Sequence, residues 1–131
     1  MSKENVEIVR RIIDAAHRGD WKAAMTGYDP AVVLDQSRVP GGGVYHGHEG
    51  VREFYARWIG AWDDFGIELK RLIDAGDHVV DINEVTGKGR DSGVPVKMQS
   101  ANVWTVERGR VVRHVGYPTV PEALEAAGLS E

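Results

Sequence analysis

The stretch from Tyr45 to Trp62 constrains this chain more than any other part of it. A glycine-punctuated loop, Tyr45-His46-Gly47-His48-Glu49-Gly50, leads into a run where Val51, Phe54, Tyr55, Trp58, Ile59 and Trp62 recur at helical spacing. That spacing puts all of these large apolar groups on one helix face. Arg52, Glu53, Arg57 and Asp63 fall off the stripe and can stay in water. A face so rich in aromatic rings needs a broad apolar surface opposite it. Only the strand-rich second half of the chain can supply one.

Before this stretch, Ser2 is placed to cap a first helix with Val6, Val9, Ile12, Ile13 and Ala16 on its apolar stripe. Gly19 stops it, and Asp20 caps a short second helix from Trp21 to about Gly27. Asp29-Pro30 breaks that helix, and Ala31 to Asp35 reads as a short buried strand. Pro40 and Gly41-Gly42-Gly43 form a loop. After the central helix the period changes to two. Strands are expected over Ile67–Ile73, His78–Lys88, Val94–Val106 and Val111–Tyr117, with turns at Ala75-Gly76-Asp77, Asp91-Ser92-Gly93 and Glu107-Arg108-Gly109-Arg110. Pro121 opens a short last helix that Gly128 closes.

Helices followed by a meander of long strands give an α+β fold. Glycines in and beside the strands (Gly87, Gly89, Gly93) suit a bent sheet. The expected form is a cone-shaped, curved antiparallel sheet with three helices on its concave face, enclosing a cavity for a small apolar molecule. With 131 residues there is room for one domain, spanning 1–131. The 16 basic and 20 acidic residues lie without long runs, which argues against nucleic acid or an anionic membrane as partner. The absence of cysteine excludes disulfides and thiolate metal sites. No apolar run approaches the roughly 20 residues of a membrane span, and no targeting segment is visible, so the expected location is cytoplasmic.

The Gly19-Asp20-Trp21 helix break, the Tyr45-x-Gly47-x-x-Gly50-Val51-Arg52-x-Phe54 lead into the third helix, and the Asn102-Val103-Trp104…Gly109-Arg110-Val111-Val112 hairpin resemble the nuclear transport factor 2-like superfamily. The resemblance is to its SnoaL-like and ketosteroid isomerase-like branch. It covers nearly the whole chain and implies a ligand cavity, with isomerase, dehydratase, hydrolase, cyclase or adaptor roles on one fold. By this resemblance Asp35 matches the general base of ketosteroid isomerases, and Asn102 stands where they carry an oxyanion-holding aspartate. Ile12 replaces their tyrosine, and Tyr117-Pro118-Thr119 has no counterpart of the cyclase aspartate.

Each candidate residue has two readings. Asp35 is a cavity base whose pKa burial would raise, or a loop carboxylate capping backbone N–H groups. Asn102 shares a face with Val96, Met98, Ser100, Trp104 and Val106, and either meets a ligand or pairs with another side chain. His114 is ambiguous in phase. Val111, Val115 and Tyr117 form the more apolar face of its strand and would send it outward, whereas the resemblance turns it into the cavity as a proton shuttle. Glu84 interrupts the apolar phase of Val80 and Ile82 and is either a second cavity acid or a solvated side chain. Tyr28, Tyr55, Trp58, Trp62, Met98 and Trp104 are core, cavity wall or both. His46 and His48 sit on a glycine-flanked loop without a third ligand, so no metal or other cofactor is expected.

Three functions compete. One is an enzyme moving protons on an apolar oxygenated molecule, with Asp35, Asn102 and His114 as base, oxyanion donor and auxiliary acid. The others are a ligand-binding module without turnover and a dimerisation scaffold. Lys97, Gln99, Ala101, Val103 and Thr105, continued by Val111, Val115 and Tyr117, form an outer sheet face that predicts a back-to-back homodimer.

Overall fold

The computed structural model describes residues 2–129, and the Ser2 side chain lies outside what it describes. The elements run α1 (Ser2–His17), α2 (Trp21–Met25), β1 (Tyr28–Asp35), β2 (Val44–His46), α3 (Gly47–Gly60), β3 (Trp62–Ala75), β4 (His78–Gly89), β5 (Pro95–Glu107), β6 (Arg110–Tyr117) and α4 (Val120–Ala126). Gly19 turns the chain with φ of 74°, and the Asp20 side chain accepts from the Ala23 N–H at the start of α2. Among the described residues, no helix is long and apolar enough to cross a membrane.

The strands form one open sheet in the order β2-β1-β6-β5-β4-β3. The meander is antiparallel as expected, but β1 pairs parallel to β6, so the sheet is mixed. The parallel pairing follows from chain order, because the last strand of the meander returns beside the first strand of the chain. β1 also begins earlier than expected. Asp29-Pro30 lies inside it, at a register shift between Tyr28 and Val33, where proline has no N–H to give the ladder.

The central stretch differs in two ways. Val44–His46 is a short strand on β1, and α3 begins at Gly47. Trp62 is the first residue of β3, paired with Gly89 and with its ring beside Gly87, and so does not complete the helical stripe. The Gly87 site leaves room for the indole, since a Cβ there would come within 3.2 Å of the ring.

Two apolar clusters lie on opposite sides of the sheet. The larger joins α1, α2 and α3 to the concave face through Val9, Ile12, Met25, Val51, Val79 and Trp104. The smaller lies on the outer face, where Ala123, Leu124 and Ala127 of α4 cover Val80, Ile82, Ala101 and Val103. Part of the face expected to be wet in a monomer is therefore covered by the chain's own last helix. Thr119 caps that helix by accepting from the Glu122 N–H.

A bulge corrects the expected faces of β6. Val106 pairs with Val111 but Thr105 pairs with Arg113, so β6 carries one extra residue at Val112. Val111 consequently belongs to the inner core, whereas Val115 pairs with Val103 of the outer face.

Candidate functional site

A cavity of about 490 Å³ opens between the concave face and the helices. Its apolar wall includes Ile13 of α1, Trp21, Phe54, Tyr55 and Trp58 on the helical side, and Phe65, Ile67, Val85 and Met98 on the sheet. Gln36, Val39 and Pro40 of the loop after β1 border it. A volume of this size fits a small organic ligand.

The polar groups of the cavity come from the middle of the sheet. On β4 the inward residues are Val79, Asp81, Asn83 and Val85, and Asp81 lies directly opposite Asn102 of β5. Asp81 is 2% exposed. Its Oδ1 accepts the backbone N–H of Asn102 at 3.1 Å and the side-chain Nδ2–H of the same residue at 2.9 Å. The Trp104 indole donates to Oδ2 at 3.0 Å. Burial pushes the carboxyl up to about 6, against the pull of the Asn102, Trp104 and Asn83 hydrogen bonds toward the ionised form. Desolvation wins, which leaves a carboxyl that gains and loses its proton close to neutral pH.

The β6 bulge turns His114 into the cavity. Its ring stacks on Trp104 with centroids 3.8 Å apart, and its Nδ1 lies 3.2 Å from the Tyr28 hydroxyl. The Tyr28 hydroxyl also lies 3.2 Å from that of Tyr55. Burial lowers the His114 pKa to about 3, so the imidazole is neutral at ordinary pH. Burial likewise raises Tyr28 well above its usual value and Tyr55 to about 12, so both phenols keep their protons.

Of the expected site residues, Asn102, His114, Tyr55, Trp58, Met98 and Trp104 border the cavity. The others do not. Asp35 points to the opposite side of β1, where it accepts from the Ser37 N–H and Oγ–H and pairs with Arg38 at 3.4 Å and Arg113 at 3.5 Å. The Ser37 hydrogen bonds hold its carboxyl below the ordinary value, with Arg38 and Arg113 adding to the effect. This is the capping carboxylate. It also sits on the outer side for a simple reason: neighbouring Leu34 fills the inner core, and strand side chains alternate.

Glu84 also points outward, in phase with Val80 and Ile82, 3.8 Å from Lys97. Tyr28 stands behind the wall, reaching the site through its hydroxyl. Trp62 packs edge to face on Trp58 with centroids 5.4 Å apart and stays outside the cavity lining. One N–H of the Asn102 side-chain amide goes to Asp81, so the residue helps to hold the acid in place.

Asp81 is the residue that the sequence reading passed over. Its signal was the Asp81-x-Asn83 pair framed by Val79 and Val85, a polar doublet within an otherwise apolar alternation. As for metals, His48 Nε2 lies 2.9 Å from the Tyr28 carbonyl oxygen, and no group of three or more potential ligands gathers among the described residues.

Comparison with known structures agrees with this architecture. A nuclear transport factor 2-like protein of Burkholderia thailandensis is 28% identical with a TM-score of 0.79, the match covering 91% of this chain and 95% of that one. A SnoaL-like protein of Jannaschia, described as a polyketide cyclase, is 21% identical with a TM-score of 0.77, over 96% and 92% of the two chains. TerC, crystallised with polyporic acid, is 20% identical with a TM-score of 0.77, over 95% and 98%. No curated protein matches at a significant level. The model of the SnoaL-like domain matches residues 9–114, most of the chain and nearly all of the sheet that carries the cavity. The chain therefore belongs to the SnoaL-like domain family, within the nuclear transport factor 2-like superfamily.

Proposed function

We propose that the cavity takes a small apolar, oxygenated molecule and that Asp81 moves a proton on it. The observation that supports this reading is a buried carboxyl on the cavity wall with its pKa raised to about 6. A general base works best when its pKa lies near the working pH, and such a group contributes about 10²–10⁴-fold in rate. Ionised Asp81 can remove a proton from a carbon beside a carbonyl and, once protonated, return it to a different atom of the same ligand. Asn102 and Trp104 hold the carboxyl in one orientation through both forms. The aromatic wall of Phe54, Tyr55 and Trp58 suits a flat apolar body. The structural likeness to TerC, crystallised with polyporic acid, supports a ligand of this general kind.

The test is hydrogen exchange in deuterated water with a set of cyclic ketones, read by mass spectrometry. Deuterium uptake beside the carbonyl that falls at least 100-fold in Asp81→Asn is the expected result. Ketones that bind without any Asp81-dependent exchange would leave a binding module without turnover. The homodimer would use the part of the outer face that α4 leaves open, around Lys97, Gln99 and Thr105. Sedimentation as a monomer at micromolar concentration would exclude it.

A further inference from the structure

The His114 imidazole presents one nitrogen with a partner and one without. Nδ1 meets the Tyr28 hydroxyl, while Nε2 is buried and finds no hydrogen-bond partner among the described residues. Buried polar atoms in folded proteins are nearly always paired, so the unpaired Nε2 of a residue that borders the cavity calls for a partner there, a ligand atom or a water. The rest of the ring is fixed. Trp104 lies on one face, the residue as a whole is 3% exposed, and Tyr28 is held in turn by Tyr55.

The chain of hydroxyls decides which nitrogen carries the proton. A phenol is a much stronger acid than a neutral imidazole N–H, and an imidazole nitrogen is a much stronger base than a phenol oxygen. Tyr28 therefore donates to His114 Nδ1, and Tyr55 donates to Tyr28. With Nδ1 acting as acceptor, the ring proton sits on Nε2. The orphan is a donor.

We propose that His114 Nε2–H is a ligand-recognition donor for a carbonyl or enolate oxygen, with Tyr28 and Tyr55 as positioning residues that fix its tautomer. This rests on the reading of the cavity as a ligand site. An acceptor oxygen satisfies the orphan, whereas a hydrocarbon of the same shape leaves it unpaired, so the site selects for the oxygen. The imidazole stays neutral, so it offers a hydrogen bond and not a charge. That suits an uncharged ketone as well as its enolate.

Tetralone and tetralin, which share a bicyclic frame and differ by the carbonyl oxygen, provide the test by isothermal titration and ¹⁵N NMR of the histidine rings. The expected results are an Nε2-protonated His114 in the free protein, roughly tenfold tighter binding of tetralone, and a shift of the Nε2 resonance with tetralone alone. His114→Phe should bind both compounds equally. Tyr28→Phe keeps the ring and removes the hydroxyl, and should lose both the single tautomer and most of the preference. It serves as the deciding variant if His114→Phe does not fold. An Nδ1-protonated ring, equal affinities in the unaltered protein, or an undiminished preference in Tyr28→Phe would overturn the assignment while leaving the cavity a ligand site. Failure of both compounds to bind at millimolar concentration would overturn the cavity reading and the assignment together.

Discussion

The Trp104 indole donates its Nε1–H to Asp81 Oδ2 at 3.0 Å. The same ring carries the His114 imidazole on its face, with centroids 3.8 Å apart. One residue of β5 thus orients an acid on β4 and a histidine on β6, the strands to either side of it.

Trp104→Phe separates these two duties. The benzene ring can still lie against His114, but Asp81 loses a hydrogen bond that favours its ionised form. The Asp81 pKa should therefore rise above that of the unaltered protein, read by ¹³C NMR titration of the carboxyl. A lower or unchanged midpoint would show that the indole N–H does not set the acidity. The smaller ring should also cost about 1–3 kcal/mol of stability.

The pH dependence of stability has a defined sign. Folded Asp81 holds its proton to about pH 6, while the unfolded carboxyl releases it near 3.8. Its contribution is complete below the unfolded value and lost as pH rises through 6. His114 works the other way, because the folded ring stays neutral to about pH 3 and the unfolded one takes a proton near 6.5. Its contribution is present above 6.5 and lost as pH falls. Asp81→Asn removes only the first effect. The melting temperature of the variant relative to the parent should climb between about pH 4 and pH 7. Thermal melts in which that difference is flat or falls would contradict a raised Asp81 pKa.

Asp35 should behave as a structural group. Its carboxylate ties down the start of the loop after β1 through Ser37 and pairs with two arginines. Asp35→Ala should lower stability by about 1 kcal/mol, as for other capping carboxylates, and leave tetralone affinity unchanged. Because its folded pKa is depressed, the parent's advantage is present above the unfolded value and lost as pH falls toward the folded one. A variant of normal stability that no longer binds would return Asp35 to the site.

Two glycines beside the cavity should respond differently to alanine. A Cβ on Gly42 would lie 1.9 Å from the Gln36 carbonyl oxygen, which is backbone and cannot swing away. Gly42→Ala should disrupt the loop that borders the cavity and lower the melting temperature. At Gly116 the clash is with the Gln36 side-chain amide at 2.3 Å, and that amide can rotate. Gly116→Ala should melt close to the parent but change ligand affinity, since Gln36 forms part of the wall. Equal stability losses in the two variants would argue against this distinction.

The sequence by itself determined the elements and their order. The amphipathic stripe of α1, the Gly19-Asp20 break, the turns at Gly76 and Gly109 and the period-2 strands are all local properties, set by backbone sterics and side-chain spacing. It also determined that Met98, Ser100, Asn102 and Trp104 share a face of β5, and all four border the cavity, joined there by Gln99 and Ala101 of the other phase. What it left open was which face of each strand looks inward. Alternation divides a strand into two faces without saying which is the concave one, and here both faces of β4 are buried. Val80 and Ile82 lie under α4, so the more apolar phase proved to be the outer one, and Asp81 was left to the cavity. On β6 one bulged residue at Val112 reversed the phase between Val111 and His114. A bulge depends on how two strands register, and the cover on a sheet depends on where a distant helix docks. Both are tertiary facts, and together they placed the acid and the histidine in one site.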